Sequence, residues 1–162
     1  MIFYLLHFLL GLLIVVTQIT VVNFISIFGV KPDLVIIFIV VRGLIAGPTA
    51  GVLWGFGLGF LLDAVSGGLT GMGSLAYSVG GFIAGQVGMG KMIGRVHYMF
   101  ALAFATLAVY IIFFYFGETW KTEGLFIPLL QRTFPGMIYT YGLGLLWLLS
   151  PLCRLGFEKR RG

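Results

Sequence analysis

Residues 47–63 read GPTAGVLWGFGLGFLLD, with a glycine at every fourth position and an aspartate at the next such step. The series consists of Gly47, Gly51, Gly55, Gly59 and Asp63. In an α-helix this spacing places all five residues on nearly one face. Glycine costs about 1 kcal/mol relative to alanine inside a helix in water. A bare face of this length therefore indicates that another helix packs closely against it.

The composition around this stretch is that of a membrane protein. The chain has 162 residues, of which 60% are hydrophobic and only 9% are charged. A soluble domain of this size could not bury so much apolar surface. Residues 2–30, 43–62 and 64–90 contain no Asp, Glu, Lys or Arg, and a transmembrane helix needs about 20 such residues. We therefore predict an all-α integral membrane protein with one membrane domain over residues 1–162.

Hydropathy and charge along the chain predict six transmembrane helices. The predicted spans are 2–22, 32–42, 46–62, 75–90, 98–116 and 134–152. Between positions 43 and 94 lie 16 of the 25 glycines, so the third and fourth spans are the glycine-rich ones. Small residues mark close helix contacts in lipid, because no hydrophobic force drives helices together there. Gly81 and Gly85 repeat the four-residue step in the fourth span.

We expect the third span to pack on the fourth and to form the centre of the fold. The glycine face has a second possible occupant, which is the single span of a partner protein. In the first span, the polar pair Thr17 and Gln18 is expected to face other helices and not lipid.

The distribution of Lys and Arg predicts the orientation in the membrane. With the N-terminus inside, seven basic residues fall on the inner side, namely Arg42, Lys91, Arg95, Arg154, Lys159, Arg160 and Arg161. The outer side has three, which are Lys31, Lys121 and Arg132. This bias predicts that both termini lie in the cytoplasm. The acidic residues at the outer end are then Asp33, Asp63, Glu118 and Glu123.

The net charge of +5 does not indicate nucleic-acid binding, because the basic residues are scattered at span ends. The basic C-terminal stretch RLGFEKRRG suits the anionic headgroups of membrane lipids.

No pattern in the sequence predicts catalysis, a cofactor or a metal site. The single cysteine excludes an internal disulfide, and the two histidines are far apart. In intramembrane aspartyl proteases an aspartate directly follows a Gly-x-Gly pair, whereas Asp63 comes four residues after Gly59. Two interpretations of Asp63 stay open. It ends its helix and accepts hydrogen bonds from the glycine turn that follows, or it faces a cavity or a partner beside the glycine face.

Two stretches resemble the MreD family of bacterial rod-shape membrane proteins. They are KPDLVIIFIVV at 31–41 and GPTAGVLWGFGLGFLLDAVSGGLTGMGSLAYSVGGFIAG at 47–85. The residues that carry the resemblance are Lys31, Pro32, Asp33, Asp63, Ser66, Gly67, Gly71 and Gly73. The resemblance implies a non-enzymatic scaffold in the bacterial inner membrane. It also implies direct binding to MreC, within a larger complex with MreB, RodZ, RodA and a class B penicillin-binding protein.

The resemblance and the glycine pattern together predict the residues of helix packing and partner binding. They are Lys31, Pro32, Asp33, Gly47, Gly51, Gly55, Gly59, Asp63, Gly81 and Gly85.

The MreD family is also similar in fold to the S-components of energy-coupling-factor transporters, which are six-helix membrane proteins that bind vitamins. An S-component-like bundle is therefore the expected architecture, and a small-molecule-binding transporter subunit is the alternative function. The first span lacks the AxxxA pattern that often serves such subunits in docking, and polar residues within the spans are sparse for a vitamin pocket.

Overall fold

The computed structural model describes residues 2–20, 31–66, 71–89, 95–117 and 134–149. Within these ranges the regular secondary structure consists of six α-helices. The helices are α1 Ile2–Thr20, α2 Leu34–Ala46, α3 Pro48–Ser66, α4 Met72–Val87, α5 Arg95–Gly117 and α6 Phe134–Leu149. The predicted all-helical fold class is confirmed for this part of the chain.

Two of the helices are long and apolar enough to cross a membrane. These segments are Pro48–Ser66 in α3 and Arg95–Tyr115 in α5. The apolar stretches in α1 and α2, Leu6–Thr20 and Leu34–Ala46, are shorter. Six membrane spans thus stay a prediction, while six helices are observed in the described ranges.

Some helix ends differ from the predicted span ends. The second predicted span stops at 42, whereas α2 continues to Ala46, so Arg42 lies inside the helix. The third predicted span stops at 62, whereas α3 continues past Asp63 to Ser66. A charged residue near the end of an apolar run does not end a helix by itself.

The third span packs on the fourth as expected, but the buried centre of the bundle is α2 and not this pair. Every residue from Val35 to Leu44 is buried, and α2 packs on α1, α3, α4, α5 and α6. A helix that is apolar on all sides is typical of such a position. The sequence of α2, LVIIFIVVRGLIA, has this character, with Arg42 as its single charged residue.

Gly47 forms the turn between α2 and α3, and its backbone carbon would lie 2.8 Å from a Cβ on Gly85 of α4. Its φ of 91° lies in the left-handed region, which favours glycine because a Cβ atom is strained there. Its N–H donates to the Gly43 carbonyl at 2.8 Å, and apart from its chain neighbours no described residue lies within 4 Å of the position of a Cβ. Pro48 follows as the first residue of α3, a position that suits its fixed φ.

The remaining glycines of the series lie directly against the backbone of α4. A Cβ on Gly51 would overlap the Gly81 carbonyl, and a Cβ on Gly55 would overlap the Tyr77 carbonyl. A Cβ on Gly59 would lie 2.6 Å from the carbonyl oxygen of Gly73. Since the opposing atoms belong to the backbone, no side-chain rotation could make room for a Cβ atom at these positions. The occupant of the glycine face is thus α4 of the same chain.

Glycines of α2 complete a three-helix contact. A Cβ on Gly43 would lie 2.8 Å from the Gly81 oxygen, and a Cβ on Gly51 would lie 3.1 Å from the Gly43 Cα. At the far end of α4, a Cβ on Gly88 would lie 2.6 Å from the carbonyl oxygen of Leu44. We refer to α2, α3 and α4, joined by these backbone contacts, as the glycine unit.

The helices α2 and α4 run parallel within the glycine unit. Gly80 lies against Ile36 near the start of α2, and Gly88 lies against Leu44 near its end. The N-terminal ends of α2 and α4, where Asp33 and Asp63 lie, are therefore at the same end of the bundle. We refer to it below as the aspartate end. This agrees with the predicted placement of both aspartates at one membrane surface, whereas Glu118 and Glu123 lie outside the described residues.

Candidate functional site

Asp33 begins the central helix and is buried, with 7% of its surface exposed. It is the N-cap residue of α2 and has an extended backbone conformation. Its Oδ1 accepts hydrogen bonds from the N–H groups of Val35 at 3.0 Å and Ile36 at 3.2 Å. These are backbone donors of the first helical turn that have no partner within the helix. Asp33 thus supplies the cap that lets α2 begin inside the bundle.

The other atoms of Asp33 connect α2 to three further helices. The Tyr77 hydroxyl of α4 donates to Oδ2 at 2.6 Å. The Asp33 N–H donates to Oγ1 of Thr140 in α6 at 2.9 Å, and this oxygen is also hydrogen-bonded to the Tyr110 hydroxyl of α5 at 3.2 Å. One residue therefore brings α4, α5 and α6 to the start of α2.

The first helix contacts the residues on either side of Asp33 through Gln18. The Gln18 side-chain amide donates to the Pro32 carbonyl at 3.0 Å and accepts from the Leu34 N–H at 2.9 Å. We refer to Gln18, Asp33, Tyr77, Tyr110 and Thr140 as the Asp33 cluster. Gln18 faces other helices, as predicted, whereas the hydroxyl of its neighbour Thr17 donates to the Leu13 carbonyl of its own helix at 2.8 Å.

Asp63 caps a helix other than its own. Its Oδ2 accepts from the N–H groups of Gly71 at 2.9 Å and Ser74 at 3.1 Å, and Oδ1 accepts from Gly73 at 3.0 Å. The Ser74 hydroxyl lies 3.4 Å from Oδ2. The carboxyl group thus satisfies the first donors of α4. The interpretation that Asp63 accepts hydrogen bonds from the glycine turn describes these contacts, although α3 continues beyond it to Ser66.

A second series of small residues at four-residue steps lies on α6. Gly136, Thr140 and Gly144 are all buried. A Cβ on Gly136 would lie 2.9 Å from a ring carbon of Tyr110, and a Cβ on Gly144 would overlap the Leu102 side chain. The Tyr98 hydroxyl donates to the Gly144 carbonyl at 3.1 Å. The sequence analysis missed this face because Thr140 interrupts the glycines, although the spacing is the same as in α3.

Arg42 packs inside the bundle near the end of α2 that is opposite to Asp33. It is 8% exposed, and its guanidinium carbon lies 5.6 Å from the centre of the Trp54 ring, which is within cation–π distance. The same indole meets the Phe38 ring edge-on at 5.4 Å. It also lies against α1, where a Cβ on Gly11 would be 3.1 Å from it. Trp54 therefore joins α1, α2 and α3.

The structure places most of the predicted packing and partner-binding residues in the interior. Residues that contact other parts of the same chain are Pro32, Asp33, Gly51, Gly55, Gly59, Asp63, Gly81 and Gly85. Gly47 lies in the α2–α3 turn, and Lys31 is exposed. Whether these residues contribute to binding a partner stays a prediction.

The outward faces of the helices are strongly apolar. Exposed side chains on α3 include Leu53, Phe56 and Phe60, and those on α5 include Phe100 and Phe104. The phenylalanines of each pair stack with ring centres 6.4 Å apart. In water such surfaces would cause aggregation, whereas they are suited to contact with lipid chains. Among the described residues, no group of His, Cys, Asp and Glu side chains could hold a metal ion.

Comparison with known proteins assigns the family. A family model described as rod shape-determining protein MreD matches residues 1–147. The chain belongs to the MreD family. The match covers the glycine unit, α1 and α5, and most of α6. It therefore extends well beyond the two stretches that carry the resemblance in the sequence. Neither the comparison with curated proteins nor that with solved structures gives a match.

Proposed function

We propose that this MreD-family chain is a non-enzymatic membrane scaffold of the bacterial cell-elongation complex. In this role it binds MreC directly and so links cytoplasmic MreB to peptidoglycan synthesis outside the membrane. RodZ, RodA and a class B penicillin-binding protein belong to the same larger assembly. The observation that carries the proposal is the family match over residues 1–147.

The proposed arrangement is six spans in the inner membrane with both termini in the cytoplasm. The excess of Lys and Arg on one side supports it, as do the apolar lengths of α3 and α5. The aspartate end of the bundle is then the periplasmic one. Arg42 and Arg95 lie toward the opposite end, at the end of α2 and the start of α5.

In this proposal the partner helix contacts an outward face of the bundle. The glycine face of α3 is filled by α4, so it has no room for a helix of MreC. The two aspartates then act on partner binding indirectly, because each caps a helix and so fixes the shape of the aspartate end. Lys31 is exposed at this end, and in this proposal it contacts the periplasmic part of a partner directly.

Depletion of the protein in its own cells tests this function. Rods should become spheres while peptidoglycan polymerisation continues, because a scaffold directs synthesis and does not catalyse it. Cells that keep their rod shape after depletion would contradict the scaffold role. Uptake of a vitamin that stops on depletion, without a change of shape, would instead favour the transporter subunit.

A further inference from the structure

Two different kinds of contact hold this bundle together, and α6 depends on the weaker kind. In the glycine unit, backbone lies against backbone along more than two turns of α3, from Gly51 to Gly59. Such an interface cannot open at one point, because both helices are rigid rods whose atoms are in contact along its length. The helix α6, by contrast, packs mainly on α5, and the ends of α5 side chains fill its small-residue face.

At Gly136 and Gly144, α6 meets α5 side chains that can rotate. Gly136 lies on the Tyr110 ring, and Gly144 lies on the Leu102 side chain and accepts a hydrogen bond from the Tyr98 hydroxyl. Between these two positions, Thr140 is hydrogen-bonded to the Asp33 N–H at the start of α2, while Tyr141 and Leu143 pack against the buried core. The Thr140 hydroxyl thus supplies a polar link between α6 and the buried centre.

The alternative state, in which α6 has moved away, leaves few polar groups unsatisfied. A threonine hydroxyl in a helix can donate to the carbonyl four residues earlier, which is that of Gly136 for Thr140. The Asp33 N–H lies before the first turn of α2, at the end of the bundle, where water can replace the lost partner. Val35 and Ile36 keep their bonds to the Asp33 carboxyl group, so α2 stays capped.

We infer that α6 is a latched helix, which can leave the glycine unit at the aspartate end while α2, α3 and α4 stay assembled. Thr140 is the latch, and its hydrogen bond with Asp33 closes it. Because Asp33 also accepts from Tyr77, the position of α6 is coupled to the start of α2 and to α4. Opening of the latch uncovers the face of α5 that bears Tyr98, Leu102 and Tyr110.

The test measures distances between spin labels on the full chain in lipid nanodiscs, after Cys153→Ser. One pair of labels, at Ile138 of α6 and Val65 of α3, reports the distance between α6 and the glycine unit. A second pair, at Ile111 of α5 and Val65 of α3, reports the distance between α5 and the glycine unit. All three positions are exposed, so the labels do not disturb the packing.

Thr140→Val should increase the population of longer α6–α3 distances about tenfold, which is the order expected for the loss of one or two hydrogen bonds. The α5–α3 distances should not change. Thr140→Ser keeps the hydroxyl and should match the unmodified chain. Thr106→Val is the matched control, since Thr106 is equally buried but its hydroxyl has no hydrogen-bond partner among the described residues. An unchanged α6–α3 distance in Thr140→Val would overturn the inference, and so would an equal change in both distances.

Discussion

Gly55→Leu tests the helix packing on which the fold depends. The three nearest atoms to a Cβ at this position are the oxygen and carbon of the Tyr77 carbonyl and the N atom of Ser78, all from the α4 backbone. The last of these would be 2.8 Å away, about 1 Å inside ordinary van der Waals contact. The substitution therefore forces α3 and α4 apart by roughly 1 Å, even before the rest of the leucine side chain is accommodated.

The cost follows from the extent of the interface. A gap of about 0.5–1 Å loses a quarter to a half of the dispersion energy of each contact that it opens, and overpacked cores lose typically about 1–3 kcal/mol. Leucine in place of glycine also favours the helix by somewhat less than about 1 kcal/mol. The packing cost and the gain in helix propensity oppose each other. The measured stability change of Gly55→Leu alone therefore underestimates the cost of separating the helices.

Gly57→Leu is the matched control, because it makes the same substitution two residues away on the same helix. Gly57 is exposed, and among the described residues nothing beyond its own helix backbone and chain neighbours lies within 4 Å of the position of its Cβ. It should therefore show the helix-propensity gain without the packing cost. In thermal unfolding of the purified protein, Gly55→Leu should be less stable than Gly57→Leu by at least about 1–3 kcal/mol. Leu53→Ile, on the exposed face, should change the free energy of unfolding little. Equal stability of the two leucine variants would refute the close approach of α3 and α4.

The other predictions concern the two aspartates and the topology. Asp63→Ala removes the cap of α4 and should lower the free energy of unfolding by about 0.5–2 kcal/mol. It should weaken co-purification of MreC more than Glu123→Ala does, since the sequence predicts an exposed loop for Glu123, where a charge contributes little; an equal loss in both variants would contradict this role of Asp63. Tyr77→Phe removes a hydrogen bond to the Asp33 carboxyl group and should cost about 1–3 kcal/mol in the same unfolding measurement; an unchanged stability would show that this contact is dispensable. A reporter that is active only in the periplasm should be silent when fused after Gly162 and active within residues 117–124, and activity after Gly162 would exclude a cytoplasmic C-terminus.

The sequence predicts much of the glycine unit, because a four-residue period determines which residues share a helix face. It does not determine what lies opposite, and for that reason a helix of a partner stayed possible for the face that α4 fills. Gly47 shows a second limit. It follows the same period as Gly51 and Gly55 but lies in the turn between α2 and α3, and spacing alone does not show where a helix ends.

The Asp33 cluster could be predicted only in part. Asp33 before an apolar helix is a recognisable N-cap, and Gln18 is conspicuous in an apolar span. Tyr77 and Thr140, however, are separated from Asp33 by 44 and 107 residues. No local pattern connects hydroxyl groups over such separations, because the contact exists only once the helices have packed.

The most direct test of the proposed function is isolation of the protein from native membranes, with its partners identified by mass spectrometry. We expect MreC to co-purify with the unmodified chain and to be reduced in Asp63→Ala. Measurement of vitamin binding on the same preparation addresses the transporter alternative. Absence of MreC, together with binding of a vitamin at submicromolar concentration, would contradict the scaffold role and establish a transporter subunit in its place.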